Sequence, residues 1–327
     1  MLWAATGAPF FFSQAWKCYG GELDPPEKLT KPIVVIGACT RSVPEWTDNS
    51  LPETSLQALL IPSIRRTITE EELYKWDVRL YLGIDDGDAF WLKHHKNLKS
   101  PPWLTVDFGF YPVTGRIPFN EMMKHAYDDG AEYFVRINDD TEFKTSGWIT
   151  HGVKTLQGFD PPNVGVVGPA CRQGSNTIMT HDMVHRTHLS IFDTYYPAVF
   201  SAWWIDDWMM KVYKPGRSIW SNAADWEVHH HTAKHGTRYK VKHEEAGLLD
   251  GELTKGQQRI EEWLVSNNLK PSAQTGAGLK GGLAPGEKEC ATMQKAHNVV
   301  VGTSWGTMPL EKRRRWDAIG CDSHQRN

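Results

Sequence analysis

Asn138, Asp139 and Asp140 follow the apolar run Tyr133-Phe134-Val135-Arg136-Ile137, which sets two carboxylates where a buried strand meets solvent. Paired aspartates with oxygen neighbours suit a hard divalent cation, Mg²⁺ or Mn²⁺. The crevice beyond the carboxyl ends of the strands is also where open α/β sheets take their ligands. Asp-Asp after a strand has a plainer use as a turn or helix cap, since its carboxylates accept from nearby backbone amides. Three further groups have side chains fit for chemistry. They are Asp206 and Asp207 ahead of an apolar helical stretch, the triplet His229-His230-His231, and the spaced histidines His181, His185 and His188.

The elements needed to position these groups are readable. Phe119, Met122, Met123, Ala126 and Tyr127 recur at helical spacing, and Gly130 supplies a left-handed cap. Residues 118–140 therefore read as helix, short turn, buried strand and carboxylate tip. Residues 33–39 are a continuous apolar run suited to a central parallel strand, tipped by Thr40, Arg41 and Ser42. Residues 78–84 form a second such strand, tipped by Asp85, Asp86 and Asp88, and 164–169 a short third. Asp206 or Asp207 stands at the start of a helix running to Tyr213, where a carboxylate is electrostatically favoured. Residues 51–68 have helical character interrupted by Pro52 and Pro62, and Pro101-Pro102 break any helix in 90–103. The expectation is an α/β fold, a mostly parallel sheet flanked by helices, over residues 31–248. An irregular lead, 1–30, precedes it, and a helix at 254–267, a glycine-rich linker and a tail make up 249–327.

Composition narrows the partners. A net charge of -3 and a pI near 6.5 over 327 residues give no chain-wide basic surface, so neither nucleic acid nor an anionic membrane is expected. Lys312-Arg313-Arg314-Arg315 reads as a solvated helix face. Residues 1–16 lack a basic lead and a run long enough to span a bilayer, so no signal peptide or membrane segment is expected. The five cysteines show no metal-ligand spacing, and their odd number leaves at least one thiol free. Bridges would require an oxidising compartment, and the secretory-pathway lumen is favoured if the source is eukaryotic. Among 15 Trp and 10 Tyr, most belong in a core. Trp203, Trp204 and Trp208 are the candidates for stacking on a sugar.

The order of these features resembles a GT-A-fold glycosyltransferase over residues 31–245. The residues that carry the likeness are the strand ending at Thr40, the Asn120 helix, Tyr133 to Asp140, Trp204-Ile205-Asp206-Asp207-Trp208, and a late histidine followed by Arg238-Tyr239. The resemblance implies a nucleotide-diphosphate sugar as donor, Mn²⁺ or Mg²⁺ as cofactor, and a glycan or glycoprotein hydroxyl as acceptor. It implies the donor around Thr40, Arg41, Asp85, Asn138 and Asp139, with Arg238 on phosphate oxygens. The metal would be held by Asp140, with Asp139, and by His231 or His230. Asp207 would be the base of an inverting transfer, with neighbouring Asp206 able to replace it. Asn138 stands where the family's Asp-x-Asp motif begins with aspartate, which opens metal-independent chemistry as an alternative. On a strand, His229 and His231 face together and His230 oppositely. If Val228 is core, its shared face with His230 favours His231.

Two other readings stand beside this one. His181-Asp182-Met183-Val184-His185 with His188 resembles a zinc-hydrolase motif if it is helical, since the three rings would then share one face. A shorter Asp in place of the usual Glu counts against it. A catalytically inactive carbohydrate-binding protein would keep the fold and the aromatic walls without the chemistry.

Overall fold

The structure, a computed structural model, describes residues 30–112, 115–175, 177–232 and 239–269. Arg238, the glycine-rich linker, the tail, Cys18, Cys290 and Cys321 lie outside the described residues. The apolar run at the start is β1 (Ile33–Thr40), buried at every position from Val34 onward. Alternation along the strand sends Val34, Ile36 and Ala38 to one core and Val35 and Cys39 to the other, so both faces must be covered.

Chain order continues through α1 (Ile61–Thr67), α2 (Glu70–Lys75), β2 (Asp77–Asp85), α3 (Ala89–His94), β3 (Thr105–Tyr111), α4 (Phe119–Asp128) and β4 (Ala131–Asn138). Then come β5 (Thr141–Phe143), α5 (Trp148–Gln157), β6 (Val166–Gly168), β7 (Ala170–Arg172), β8 (Asp182–His185) and α6 (Thr187–Phe192). The last elements are α7 (Ile205–Val212), β9 (Ser218–Trp220), β10 (Glu227–His230) and α8 (Leu249–Ser266). Seven strands form one sheet in the order β3-β2-β1-β4-β8-β6-β9, and three form a second, β5-β10-β7. Strands β3, β2, β1 and β4 are parallel, and β8 runs antiparallel to β4. This is the α/β class expected, a mostly parallel sheet flanked by helices. Parallel pairing brings the carboxyl ends of β1, β2 and β4 to one edge, and the polar tips with them.

Helix α4 lies on β1 so closely that a Cβ on Gly37 would meet Met123 Cε at 2.6 Å and Met122 Cε at 2.8 Å. Gly130 takes φ +87°, the left-handed turn between α4 and β4 that the sequence led us to expect. Pro62 does not interrupt the helical run, because a π-helical turn, Leu56–Leu60, leads directly into α1 and Pro62 stands in the first turn after it. Along β3, Val106, Phe108 and Phe110 alternate and pack on the first core. The C-terminal helix α8 places Leu249, Ile260 and Leu264 in the second core, and Glu252 O accepts from Trp208 Nε1 at 3.1 Å. Among the described residues no helix is long and apolar enough to cross a membrane.

The zinc-hydrolase reading required a helix at 181–188, and the structure corrects it. Asp182–His185 is strand β8, held by antiparallel pairing to β4. The extended chain carries His181 and His185 well apart, and His188 belongs to the next element, α6. His185 stacks edge-on to Tyr133 and bonds Thr187, whereas His188 is buried in α6 between Tyr213 Oη at 2.8 Å and Tyr195 O at 2.7 Å.

Burial lowers the pKa of His188 and of His185 from 6.5 to about 4, and that of His181 well below 6.5. These rings stay neutral in the fold while the unfolded chain protonates them, so stability is full above pH 6.5 and is lost as pH falls toward 4. For the fully buried His188 the difference is on the order of 3 kcal/mol. Thermal melting between pH 7 and 5 should show a falling midpoint, and His188→Gln, though less stable at pH 7, should flatten that slope.

Candidate active site at the strand tips

Asp139 and Asp140 form the two-residue turn between β4 and β5, and each carboxylate goes to a different sheet. Asp139, 1% exposed, accepts a hydrogen bond from Thr40 Oγ1 at 2.7 Å, which ties the tip of β4 to the tip of β1. Asp140, 5% exposed, turns toward β10, where its Oδ1 lies 3.0 Å from His230 Nε2. The Asn138 amide nitrogen is 3.1 Å from the same ring nitrogen. The backbone adds a link, His231 N donating to Asp140 O at 3.0 Å.

The tip of β2 completes this edge. Arg41 Nε pairs with Asp85 Oδ2 at 3.1 Å, Tyr239 Oη donates to Asp85 Oδ1 at 3.1 Å, and the Arg41 guanidinium lies 5.2 Å from the Tyr239 ring centre. Burial raises the pKa of Asp85, against the opposing effects of Arg41 and Tyr239. Thr40, Arg41, Asp85, Asn138, Asp139 and Asp140 are thus brought to one sheet edge, as the sequence implied.

The histidine triplet falls differently from the expectation. Val228 is core, yet the face it shares with His230 runs out of the core into the site within two residues. Register does this, because His230 pairs with Thr141 and Val228 with Phe143. His231 faces the other way, with its Nε2 3.1 Å from Glu142 Oε2, while His229 bonds Glu227 at 3.0 Å. The imidazole beside Asp140 is therefore that of His230 rather than His231.

Asp206 and Asp207 occupy the first turn of α7, which begins after Trp204 at φ +69°. Asp206 reaches the guanidinium of Arg136 at 2.8 Å, and Asp207 pairs with Lys211 along the helix at 2.7 Å. Arg136 is 3% exposed and also donates through Nε to Asp182 Oδ2 at 2.8 Å, while Tyr195 Oη donates to Asp182 Oδ1 at 2.7 Å. Burial alone would lower the pKa of Arg136, but Asp182 and Asp206 outweigh it and hold the guanidinium charged. Burial raises the pKa of Asp182 while Arg136 and Tyr195 oppose it. The Arg136 pairings went unread in the sequence, though a charge inside an otherwise apolar strand was their signal.

Cys171 and His181 were also missed as neighbours of His230. Thr141 Oγ1 is 2.7 Å from His181 Nε2, and the His181 and His230 rings meet edge to face at 5.0 Å. Burial pushes the Cys171 thiol up to about 11. Trp208 is core at 1% exposed, which removes it from the sugar-stacking candidates. Trp203 and Trp204 are half-buried, Trp203 edge-on to His243 and Trp204 Nε1 donating to Lys242 O at 3.4 Å.

No family model matches the sequence, and no curated protein matches it. Among solved structures it is similar to S. aureus TarS 1–349 in complex with UDP-GlcNAc, at 12% identity and a TM-score of 0.43, covering 71% of each chain. It is also similar to the mannosyltransferase PcManGT from Pyrobaculum calidifontis in complex with GDP-Man and Mn²⁺, at 12% identity and TM-score 0.39, covering 91% of this chain and 86% of that one. A third is GalNAc-T7 with UDP, GalNAc and Mn²⁺, at 8% identity and TM-score 0.44, covering 75% and 55%. At these identities and scores the chemistry has to be argued from the residues at the strand tips.

Replacing Arg136 by Met should cost about 3–5 kcal/mol, because Asp182 would remain buried without its counter-charge. Urea unfolding of the two proteins measures this, and the double variant Arg136→Met with Asp182→Leu should recover much of the loss.

Proposed function

We propose that this chain is a glycosyltransferase that moves a sugar from a nucleotide-diphosphate donor to an acceptor hydroxyl. The observation that carries the reading is the pair of buried Asp140 and partly buried His230, 3.0 Å apart, beside the Thr40–Asp139 bond at the carboxyl edge of a parallel sheet. Carboxylate oxygens and one imidazole nitrogen form a donor set that fits Mn²⁺ or Mg²⁺. Asp140 and His230 would hold the cation, with Asp139 beside them. A cation there would supply charge neutralisation for a departing diphosphate.

The protein's own groups account for the remaining needs. Asp85, fixed by Arg41 and Tyr239, offers an oriented carboxylate for the hydroxyl or ring N–H groups of a nucleoside. Arg238 remains a candidate for phosphate oxygens. Trp203 and Trp204 provide an apolar wall at the start of α7 for an acceptor sugar. Of the two candidate bases, the geometry favours Asp206. Its carboxylate is anchored to Arg136, two residues before Asn138 on the same strand face, and its charge acts on Cys171 beside His230. Asp207 instead turns along the helix to Lys211. A carboxylate that accepts the proton of the attacking hydroxyl on the side opposite the leaving diphosphate gives inversion.

Thermal melting of the full chain with UDP, GDP and CMP, each with and without Mn²⁺, tests the donor site, since a ligand of the folded state raises the midpoint. One nucleotide should stabilise the protein only when Mn²⁺ is present, and Asp140→Ala should remove that dependence. A full Mn²⁺ response in Asp140→Ala would sink the metal assignment. Asp206→Asn should keep donor binding and lower transfer by roughly 10²- to 10⁴-fold, whereas Asp207→Asn should stay within a few-fold of wild type. The reverse ranking would move the base to Asp207. Metal-dependent nucleotide binding with no transfer or donor hydrolysis would favour a catalytically inactive binding protein.

A further inference from the structure

The face of the small sheet that carries His230 holds a second set of donors. Cys171, His181 and His230 each bring a ligand atom within 4.8 Å of the other two. Cys171 lies on β7 opposite Val228, His230 follows on the same face of β10, and His181 immediately precedes β8. Three separate elements therefore converge on one point.

The two nitrogens of His230 differ in surroundings. Nε2 is 3.0 Å from Asp140 Oδ1, whereas Nδ1 is buried and has no hydrogen-bond partner among the described residues. A Cβ placed on Gly174 would lie 3.0 Å from Cys171 Sγ and 3.2 Å from His230 Nδ1, so the unsatisfied nitrogen is on the sulfur side. The Asn138 amide nitrogen also faces Nε2, at 3.1 Å. Nδ1 offers a lone pair to a metal when the ring proton is on Nε2 facing Asp140 Oδ1, the orientation common among metal-binding histidines. His181 has a threonine hydroxyl at each ring nitrogen, Thr180 at 2.9 Å from Nδ1 and Thr141 at 2.7 Å from Nε2. Ligation would replace one hydroxyl and leave the other to fix the ring.

We propose that Cys171, His181 and His230 form a Zn²⁺ site, with His230 binding through Nδ1, and that filling it prevents His230 Nε2 from serving a cation at Asp140. One thiolate and two imidazoles select Zn²⁺ over Mn²⁺ or Mg²⁺, and a water completes a four-coordinate ion. Binding releases the Cys171 thiol proton to solvent. Exclusion follows from the single proton of a neutral ring. With zinc on Nδ1 the proton is on Nε2 and aimed at Asp140; with a cation on Nε2 the proton is on Nδ1 and aimed at the sulfur. The zinc site stands on its own donors, and the exclusion rests on the proposed transferase function.

Titration of the full chain with Co²⁺ reads the site directly, because a thiolate ligand gives a near-ultraviolet sulfur-to-cobalt charge-transfer band. The wild-type chain should develop this band to saturation and lose it when Zn²⁺ is added. Cys171→Ser should lack it, and His181→Gln should bind Co²⁺ at least about tenfold more weakly. No band in the wild-type chain, or an unchanged band in Cys171→Ser, overturns the site, and the first of these needs no variant to fold. For the exclusion, Zn²⁺ should suppress the Mn²⁺-dependent nucleotide stabilisation of wild type but not of Cys171→Ser. Equal suppression in both overturns it. Failure of every nucleotide to bind would instead remove the transferase reading, and the cobalt band would still decide the zinc site.

Discussion

A guanidinium enclosed by protein must be met by carboxylates, and the rest of the site is arranged around that requirement at Arg136. Its partners come from two elements that the chain places far apart, Asp182 on β8 and Asp206 on α7. Satisfying the charge fixes the side on which β8 joins β4 and the point at which α7 must start. Arg136 and Asn138 share a strand face, so the same constraint brings Asp206 to the face of β4 that ends at Asn138. Tyr195 closes the arrangement by donating to the second oxygen of Asp182, which leaves neither acceptor oxygen of that buried group without a donor.

The turn at Asp139 and Asp140 is the hinge between two sheets. One carboxylate is spent on the large sheet through Thr40, the other is directed to the small sheet through His230. Division of labour follows from alternation across a tight turn rather than from any difference between two aspartates. The small sheet is needed for the second half, because β10 is its middle strand and takes its register from β5, which is the continuation of the same turn.

The parts of the molecule legible in the sequence are those governed by local pattern. Strands β1, β2 and β4 are buried on both faces over most of their length and therefore stand out as apolar runs, continuous in β1 and carrying Arg79 in β2 and Arg136 in β4, and their polar tips mark where they end. The helix with Met122 and Met123 is read from spacing and its end from Gly130. Illegible parts depend on partners distant in the chain. His181, His185 and His188 have a helical-looking spacing, and pairing with β4 and β6 makes Asp182–His185 a strand. Cys171 sits in a three-residue strand whose existence depends on β10. Choosing between His230 and His231 required knowing where the core ends along β10. Val228 and His230 do share a face, but the core along it ends at Val228.

The site's elements also have an order in time. Thr40 and Arg41 leave the ribosome early, and Asp139 and Asp140 much later, yet the imidazole opposite Asp140 belongs to residue 230. Among the described residues strand β5 pairs only with β10 and so has no ladder partner until β10 has been made, although the apolar runs of the large sheet are available to associate before then. A nascent chain paused before β10 would carry the carboxylate turn without its imidazole.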